Sequence, residues 1–102
     1  MDLIIDRVTT SLGVVCSVPA GELAKYGLSP QEIEQAVNEQ KWEIIRNRRS
    51  RLMFETDWTQ VPDCQLSDGK KAEFTNYRQI LRDIPQTYSK PDDVVWPVKP
   101  TI

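Results

Sequence analysis

The sequence predicts a small, mainly α protein. We expect an antiparallel two-helix hairpin, an extended proline-rich C-terminal tail and a short N-terminal segment that suits a β-hairpin. Three observations support this fold class. The chain has 102 residues, which favours one small domain. Two stretches carry apolar residues at helical spacing, and each is preceded by a Ser that can cap a helix. Three of the seven prolines lie between residues 91 and 100, where they disfavour regular helix.

The first predicted helix spans about residues 30–55. Ser29 stands at its N-cap, Pro30 at the first helical position and Glu32 at the third, which is the capping-box pattern. Leu28 precedes the cap and can pack on Ile33 as a hydrophobic staple. Cations crowd the carboxyl end, where the helix dipole favours them: Arg46, Arg48, Arg49 and Arg51.

The second predicted helix spans about residues 67–84. Ser67 can cap its start, and Pro85 is expected to close it. Its apolar stripe consists of Phe74, Tyr77, Leu81 and Ile84, with Ile80 beside them. About a dozen residues, including Pro62, join the two helices, so we expect them to pack antiparallel.

Residues 1–26 contain two short β-branched runs, residues 3–5 and 14–18, around a turn at residues 9–13. This pattern predicts two short strands. A hairpin alone is marginal in water, so it needs the helices or another chain. We therefore divide the chain into residues 1–28, expected to face a partner, and residues 29–102, the helical hairpin and tail. The candidate interface residues are Leu3, Ile4, Ile5, Val14, Val15 and Trp42.

The composition excludes several kinds of site. The chain has no His, which excludes Ser–His–Asp hydrolases of the usual kind, His-bearing zinc sites and haem ligation by His. Cys16 and Cys64 form no CxxC pair and are interpreted as reduced apolar residues, with a single disulfide as the alternative. We predict no enzymatic activity and no cofactor. The sequence shows no secretory leader and no long apolar run, so we expect synthesis in the cytoplasm and no membrane contact.

The arginine-rich stretch at residues 46–51 has two interpretations. It could contact phosphates of a nucleic acid. It could also complement the helix dipole and form ion pairs with Glu43, Glu55 and Asp57. The net charge of -2 and a pI near 5.1 favour the second interpretation.

Carboxylates and tryptophans are the remaining candidates for a site. Asp92 with Asp93, or Asp57 with Asp63, could act as acid and base or hold a divalent metal ion. Their positions near turns favour structural roles. The three tryptophans, Trp42, Trp58 and Trp96, are interpreted mainly as core residues, with a contact on a partner as the alternative for Trp42 and Trp96.

Several short motifs follow one another in the second half of the chain. They are Asp57-Trp58, Pro62-Asp63, Tyr77-Arg78, Leu81-Arg82-Asp83-Ile84-Pro85 and Trp96-Pro97. In this order they resemble the phage tail assembly chaperone-like domain of tailed bacteriophages, which is also found at the ends of tail fibre and tail fibre assembly proteins. The resemblance covers about residues 42–100. Met53 stands where a second Leu is usual, and Cys64 follows the Pro-Asp pair.

The resemblance implies a role in building or decorating a phage tail through protein–protein contacts. It favours a tail or tail fibre component that is assembled in the host cytoplasm and retained in the virion. Other tail or tail fibre proteins are the implied partners, and self-association is left open. The alternatives are a transient tail assembly chaperone absent from the mature virion and, less favoured, a small nucleic-acid-binding regulator.

The family residues are interpreted as fold determinants. They are Asp57, Trp58, Pro62, Tyr77, Arg78, Leu81, Arg82, Pro85, Trp96 and Pro97. We expect Asp57 to turn the chain out of the first helix. Arg78 and Arg82 share one side of the second helix and are expected to reach carboxylates such as Asp83 or the Asp92-Asp93 pair.

Overall fold

The computed structural model describes residues 3–10 and 13–102, and it confirms a mainly α protein with an N-terminal β-hairpin. Residues 11 and 12 of the predicted turn lie outside the described residues. The elements in chain order are β1 (Ile4–Thr10), β2 (Gly13–Pro19), a 3₁₀ helix (Ala20–Tyr26), α1 (Pro30–Thr56), a 3₁₀ turn (Asp57–Gln60), α2 (Asp68–Thr87) and a second 3₁₀ turn (Pro91–Asp93). No helix in the described part of the chain is long and apolar enough to cross a membrane.

The chain forms two compact units, Met1–Ile44 and Ile45–Ile102. The sequence analysis placed a boundary after residue 28, whereas the units divide inside α1. The reason is that the first half of α1 belongs to the apolar cluster of the hairpin. This cluster is built on the buried residues Ile5, Val18 and Leu23, and Leu28, Ile33, Ala36 and Val37 pack against it.

The spacing of inward-facing residues in the hairpin is irregular. Ile5 lies opposite Val18 and Val8 lies opposite Val15, and all four contribute to the cluster. They are three residues apart on each strand, although side chains of a regular strand change face at every residue. Between them, Ser17 has φ 55. The pairing omits Ser17 of β2 and the opposite Asp6 of β1, so the alternation of faces is interrupted at this point on both strands.

Gln40 of α1 forms hydrogen bonds with Asp6, the residue of β1 opposite Ser17. The Asp6 N–H donates to Gln40 Oε1 at 2.8 Å, and Gln40 Nε2 donates to Asp6 Oδ2 at 3.2 Å. Gln40 is only 9% exposed, so the oxygen and the nitrogen of its side-chain amide both need hydrogen-bond partners. The two bonds therefore connect the hairpin to α1 within the first unit.

The capping box at the start of α1 is confirmed. The Glu32 N–H donates to Ser29 Oγ at 3.2 Å, and the Ser29 N–H donates to Glu32 Oε1 at 3.1 Å. These bonds with Ser29 favour the carboxylate and lower the pKa of Glu32. Leu28 and Ile33, the expected staple pair, both pack against the cluster of the first unit.

The predicted end of α2 at residue 84 is wrong. Ser67 caps the helix through the Lys70 N–H at 3.2 Å, as expected, but the helix continues through Pro85 to Thr87. Pro85 lies in the last turn, so the lost N–H and the crowding of its ring against the carbonyl four residues earlier affect only the end of the helix. The Tyr88 N–H then donates to the Ile84 carbonyl at 3.1 Å and completes that turn.

The expectation of a tail without any helix is also wrong at its start. Pro91–Asp93 form a 3₁₀ turn, in which the Val94 N–H approaches the Pro91 carbonyl at 3.4 Å. Pro91 suits the first position of such a turn because its ring fixes φ. Residues 94–102 carry no helix or strand.

Candidate interaction surfaces

The core of the second unit lies along one face of α2. Phe74, Tyr77, Leu81 and Ile84 are at most 3% exposed, as the apolar stripe predicted, and Ile45 of α1 is also buried. Trp58 differs from the expectation of a core anchor because 43% of it is exposed. Its ring lies 6.1 Å from the Phe74 ring at an angle of 57°, so it covers an edge of the core.

Arg78 of α2 binds the carboxyl end of α1. Its Nη1 donates to the Met53 carbonyl at 2.8 Å and to Thr56 Oγ1 at 2.9 Å, while Nη2 lies 2.9 Å from Asp57 Oδ1. Arg78 is 7% exposed, and Nε is buried without a hydrogen-bond partner in the described structure. The guanidinium places positive charge where the last carbonyls of α1 carry partial negative charge.

The chain leaves α1 through a series of buried hydroxyl bonds. Thr56 Oγ1 donates toward the Leu52 and Met53 carbonyls at 2.9 and 3.2 Å, and Thr59 Oγ1 donates to the Thr56 carbonyl at 2.6 Å. Thr56 and Thr59 are at most 1% exposed. Cys64 Sγ then donates to the Thr59 carbonyl at 3.3 Å. These bonds fix the direction in which the loop departs from α1.

Sequence reasoning missed this role of Arg78. It paired Arg78 with a carboxylate such as Asp83, but the structure places Asp57 beside it, so that expectation is wrong. It also expected arginines of α1 itself to complement the dipole of that helix. The cation that binds a carbonyl in the last turn of α1 is instead Arg78 of α2. The sequence contains both Asp57 and Arg78 as motif residues, but no periodicity relates two residues 21 positions apart on different elements.

Tyr77 lies next to Arg78 in the same buried face and is 3% exposed. Burial raises the pKa of its hydroxyl, and the nearby Glu55 raises it further. Arg48 acts in the opposite direction on the pKa of Tyr77 because a cation favours the phenolate. The tyrosine is therefore held neutral to a higher pH than usual.

The arginines of α1 do not act as one patch. The Arg48 guanidinium lies 4.3 Å from the centre of the Trp96 ring, and Arg51 Nε is 3.9 Å from Glu55 Oε1. Glu55 also accepts from Lys99 Nζ at 3.5 Å. Two of these cations thus take part in contacts within the second unit.

Arg49 lines a groove on the second unit. The groove has a volume of about 490 Å³. Phe54 lies in it with 79% of its surface exposed. We call it the arginine groove, and its residues are Arg49, Ser50, Met53, Phe54, Asp57 and Arg82. An exposed aromatic ring with arginines around it is the composition found at protein–protein contacts.

The candidate interface residues of the first unit divide into inward and outward positions. Ile5 is 2% exposed, and Leu3 and Val15 pack against the cluster, so these three face inward. Ile4 and Val14 are 46% and 58% exposed and face outward. Trp42 of α1 is half-buried.

A second groove of about 360 Å³ follows β1 in the first unit. It lies between the outer edge of the strand and α1 and is lined by Arg7, Val8, Thr9, Leu28, Glu32, Gln35, Ala36 and Glu39. Every second residue of β1 points its backbone N–H and C=O away from β2. This edge can therefore accept an additional extended chain.

The remaining motif residues lie at the surface of the second unit. Arg82 is exposed and donates to Gln79 Oε1 at 3.4 Å. Pro62 lies in an exposed loop, and Pro97 is half-buried beside Trp96. Both cysteines are free thiols. Within residues 3–10 and 13–102, no group of three or more His, Cys, Asp or Glu side chains could hold a metal ion.

Fold and surfaces together define a small, mainly α protein with exposed apolar side chains in each of its two units. The model of one family, described as phage tail assembly chaperone protein, matches residues 42–101. The chain belongs to this family and has a role in phage tail assembly.

A solved structure is also similar, the solution structure of protein CV0426 from Chromobacterium violaceum. It shares 33% identity over 97% of this chain and 100% of that chain, with a TM-score of 0.66. The comparison with curated proteins found no match.

Proposed function

We propose that the protein acts in tail assembly by binding another tail or tail fibre protein, without catalysis, and that it leaves the finished tail. The family description as an assembly chaperone supports the transient role over the virion component that the sequence analysis favoured. As part of this proposal, the partner contacts the first unit, and within the second unit the last part of α1 packs antiparallel to α2 to support the fold.

The observation that carries the binding proposal is the outward face and free edge of the β-hairpin. Ile4 and Val14 are exposed large apolar residues on a sheet of only two strands. A partner strand can extend a two-stranded sheet along its outer edges, although on β1 the Asp6 N–H already donates to Gln40 Oε1. Burying two exposed apolar side chains would add to the affinity of that pairing.

The binding proposal is tested with the double variant Ile4→Asp/Val14→Asp in a phage that lacks the wild-type gene. We expect few assembled tails by negative-stain electron microscopy. Val98→Asp is the matched control, because Val98 is 91% exposed on the second unit, and it should assemble normally. Both proteins should remain folded, with the circular dichroism spectrum of the parent protein, since Ile4 and Val14 are 46% and 58% exposed and Val98 is 91% exposed. The double variant is expected to melt somewhat lower, because Asp is disfavoured in strands. Normal assembly with the double variant would exclude the hairpin face as the contact.

The transient role is tested by quantitative mass spectrometry of infected-cell lysates and of purified virions. We expect the protein in lysates and at most trace amounts in virions. Copies in virions at a fixed ratio to a tail protein would instead make it a structural component. A nucleic-acid role predicts binding to DNA or RNA that weakens steeply with salt, and we expect no such binding.

A further inference from the structure

We propose that the arginine groove binds a segment of a partner protein in which acidic residues flank an apolar side chain. The inference rests on the proposed function, because it supplies a second contact for the same partner or for another tail protein. The groove is part of the second unit, whereas the contact proposed above lies on the hairpin of the first unit.

The charge of the groove favours an acidic partner. Asp57 is the acidic residue among its six lining residues, and the Asp57 carboxylate lies 2.9 Å from Arg78 Nη2. That buried guanidinium offsets the charge of Asp57, so Asp57 does little to neutralise Arg49 and Arg82. Arg82 contacts the neutral amide oxygen of Gln79 at 3.4 Å. The groove therefore presents two arginines on a protein whose net charge is -2, and carboxylates complement them.

The apolar part of the partner segment is inferred from Phe54 and Met53. Phe54 is 79% exposed, although it lies on a regular helix whose opposite side packs into the core. Met53 is half-buried beside it, and a methionine adapts to apolar groups of different shapes. An apolar side chain between acidic residues could cover Phe54 while its neighbours pair with Arg49 and Arg82.

The geometry favours a protein segment over a nucleic acid. A nucleic-acid strand needs cations aligned along its backbone. Here Arg48 lies over Trp96 and Arg51 pairs with Glu55, so both cations already take part in contacts within the second unit. The acidic pI of about 5.1 also opposes attraction of a polyanion.

The test uses the full-length protein, labelled with ¹⁵N, and a synthetic peptide in which a Leu-Phe pair is flanked by Asp and Glu. We expect peptide-induced amide shifts to concentrate at the groove residues. We expect Phe54→Ala and Arg82→Glu to weaken binding by about tenfold or more, as for residues at the centre of an interface. Val98→Ala and Arg51→Glu are the matched controls for the lost apolar surface and for the reversed charge, and they should bind like the parent protein.

Four outcomes of the peptide titration would overturn the inference. They are the absence of shifts at peptide concentrations up to about millimolar, shifts located outside the groove, equal binding of a peptide with Lys in place of Asp and Glu, and groove shifts caused only by a single-stranded oligonucleotide. Groove shifts that follow protein concentration without peptide would indicate a second copy of the chain as the occupant and would also overturn it.

The phage assay separates the two proposals. If Phe54→Ala/Arg82→Glu assembles tails normally while Ile4→Asp/Val14→Asp does not, the groove fails as a functional contact and the proposed function stands.

Discussion

Arg78 Nη2 lies 2.9 Å from Asp57 Oδ1, and through this contact α2 holds the residue that follows the last turn of α1. The pair is asymmetric, because the Arg78 side chain is 8% exposed and the Asp57 side chain is 60% exposed. Most of the stabilisation therefore comes from the buried bonds of Arg78 to the Met53 carbonyl and the Thr56 hydroxyl, and little from the water-exposed carboxylate.

Arg78→Met is expected to destabilise the protein by about 2–4 kcal/mol. Methionine keeps much of the apolar stem but removes the charged donor from the Met53 carbonyl and the Thr56 hydroxyl, and the Met53 carbonyl keeps only the longer bond from Thr56 Oγ1. Chemical denaturation measures the change in the free energy of unfolding. Asp57→Asn should cost less than about 1 kcal/mol, since exposed ion pairs contribute little. If Asp57→Asn were as costly as Arg78→Met, the ion pair and not the helix end would be the main contribution.

The capping box gives a second prediction. Ser29→Ala should lower stability by about 0.5–2 kcal/mol, because the Glu32 N–H loses its acceptor. Ser67→Ala is a comparable change at the start of α2, where the Lys70 N–H loses its acceptor, and should cost a similar amount. Thermal or chemical denaturation of both variants measures this. A cost near zero for Ser29→Ala would mean that water replaces the hydroxyl without loss.

The pH dependence of the capping box is a separate prediction. The bonds to Ser29 lower the pKa of Glu32 in the folded protein below its ordinary value of about 4.3. The stabilising effect of the carboxylate is therefore complete above the ordinary pKa and is lost as the pH falls through the lowered folded-state pKa. An NMR titration of the Glu32 side chain measures that pKa. Ser29→Ala removes the hydroxyl but keeps the Ser29 backbone N–H, which is the larger cause, so the pKa of Glu32 should rise only part of the way toward the ordinary value. An ordinary pKa of Glu32 in the parent protein would contradict the assignment.

The sequence predicted the elements whose signals are local. The start of α1 followed from Ser29, Pro30 and Glu32, and the apolar stripe of α2 followed from helical spacing. Each signal arises within a single helix, so tertiary packing did not need to be known. The 3₁₀ helix Ala20–Tyr26 was not predicted, because it depends on Leu23, which is fully buried among residues from three other elements.

The candidate interface residues were only partly predictable for the same reason. Apolarity alone placed Ile4 and Ile5 in one group, yet Ile5 is buried and Ile4 is exposed. Neighbouring residues of a strand face opposite sides, and the packing of Leu23 and the first half of α1 decides which side is buried. The irregularity at Ser17 was also not predictable, because a Ser in a strand gives no sign of a left-handed conformation. The groove around Phe54 depends on Arg82 from another helix, which helical periodicity within α1 cannot reveal.

Trp58 and Phe74 should differ in their contributions to stability. Phe74 is 1% exposed, and Phe74→Ala should cost about 3–5 kcal/mol through lost apolar contact and a cavity. Trp58 buries only part of its surface against Phe74, so Trp58→Ala should cost about 2 kcal/mol. Chemical denaturation of the two variants measures the difference. Equal costs would mean that Trp58 is buried in solution and belongs to the core.

The two compact units give a last prediction, which compares Leu23→Ala with Leu81→Ala. Both leucines are 0% exposed, one in the cluster of the first unit and the other in the core of the second. Each change should destabilise the surrounding structure by about 2–5 kcal/mol. Native-state hydrogen exchange reports stability residue by residue. Leu23→Ala should lower the protection of the hairpin and of the first half of α1, while the amides of α2 keep theirs.

Leu81→Ala should have the opposite pattern, with protection lost in α2 and retained in the hairpin. The result also bears on truncation at residue 28. That cut would remove Ile5, Val18 and Leu23 and expose Ile33 and Val37, so the first half of α1 should lose protection while α2 stays folded. If either single variant lowered protection uniformly along the chain, the units would unfold as one cooperative structure. A core substitution in the first unit would then also affect the arginine groove in the second unit. Such substitutions could not separate the two proposed contacts.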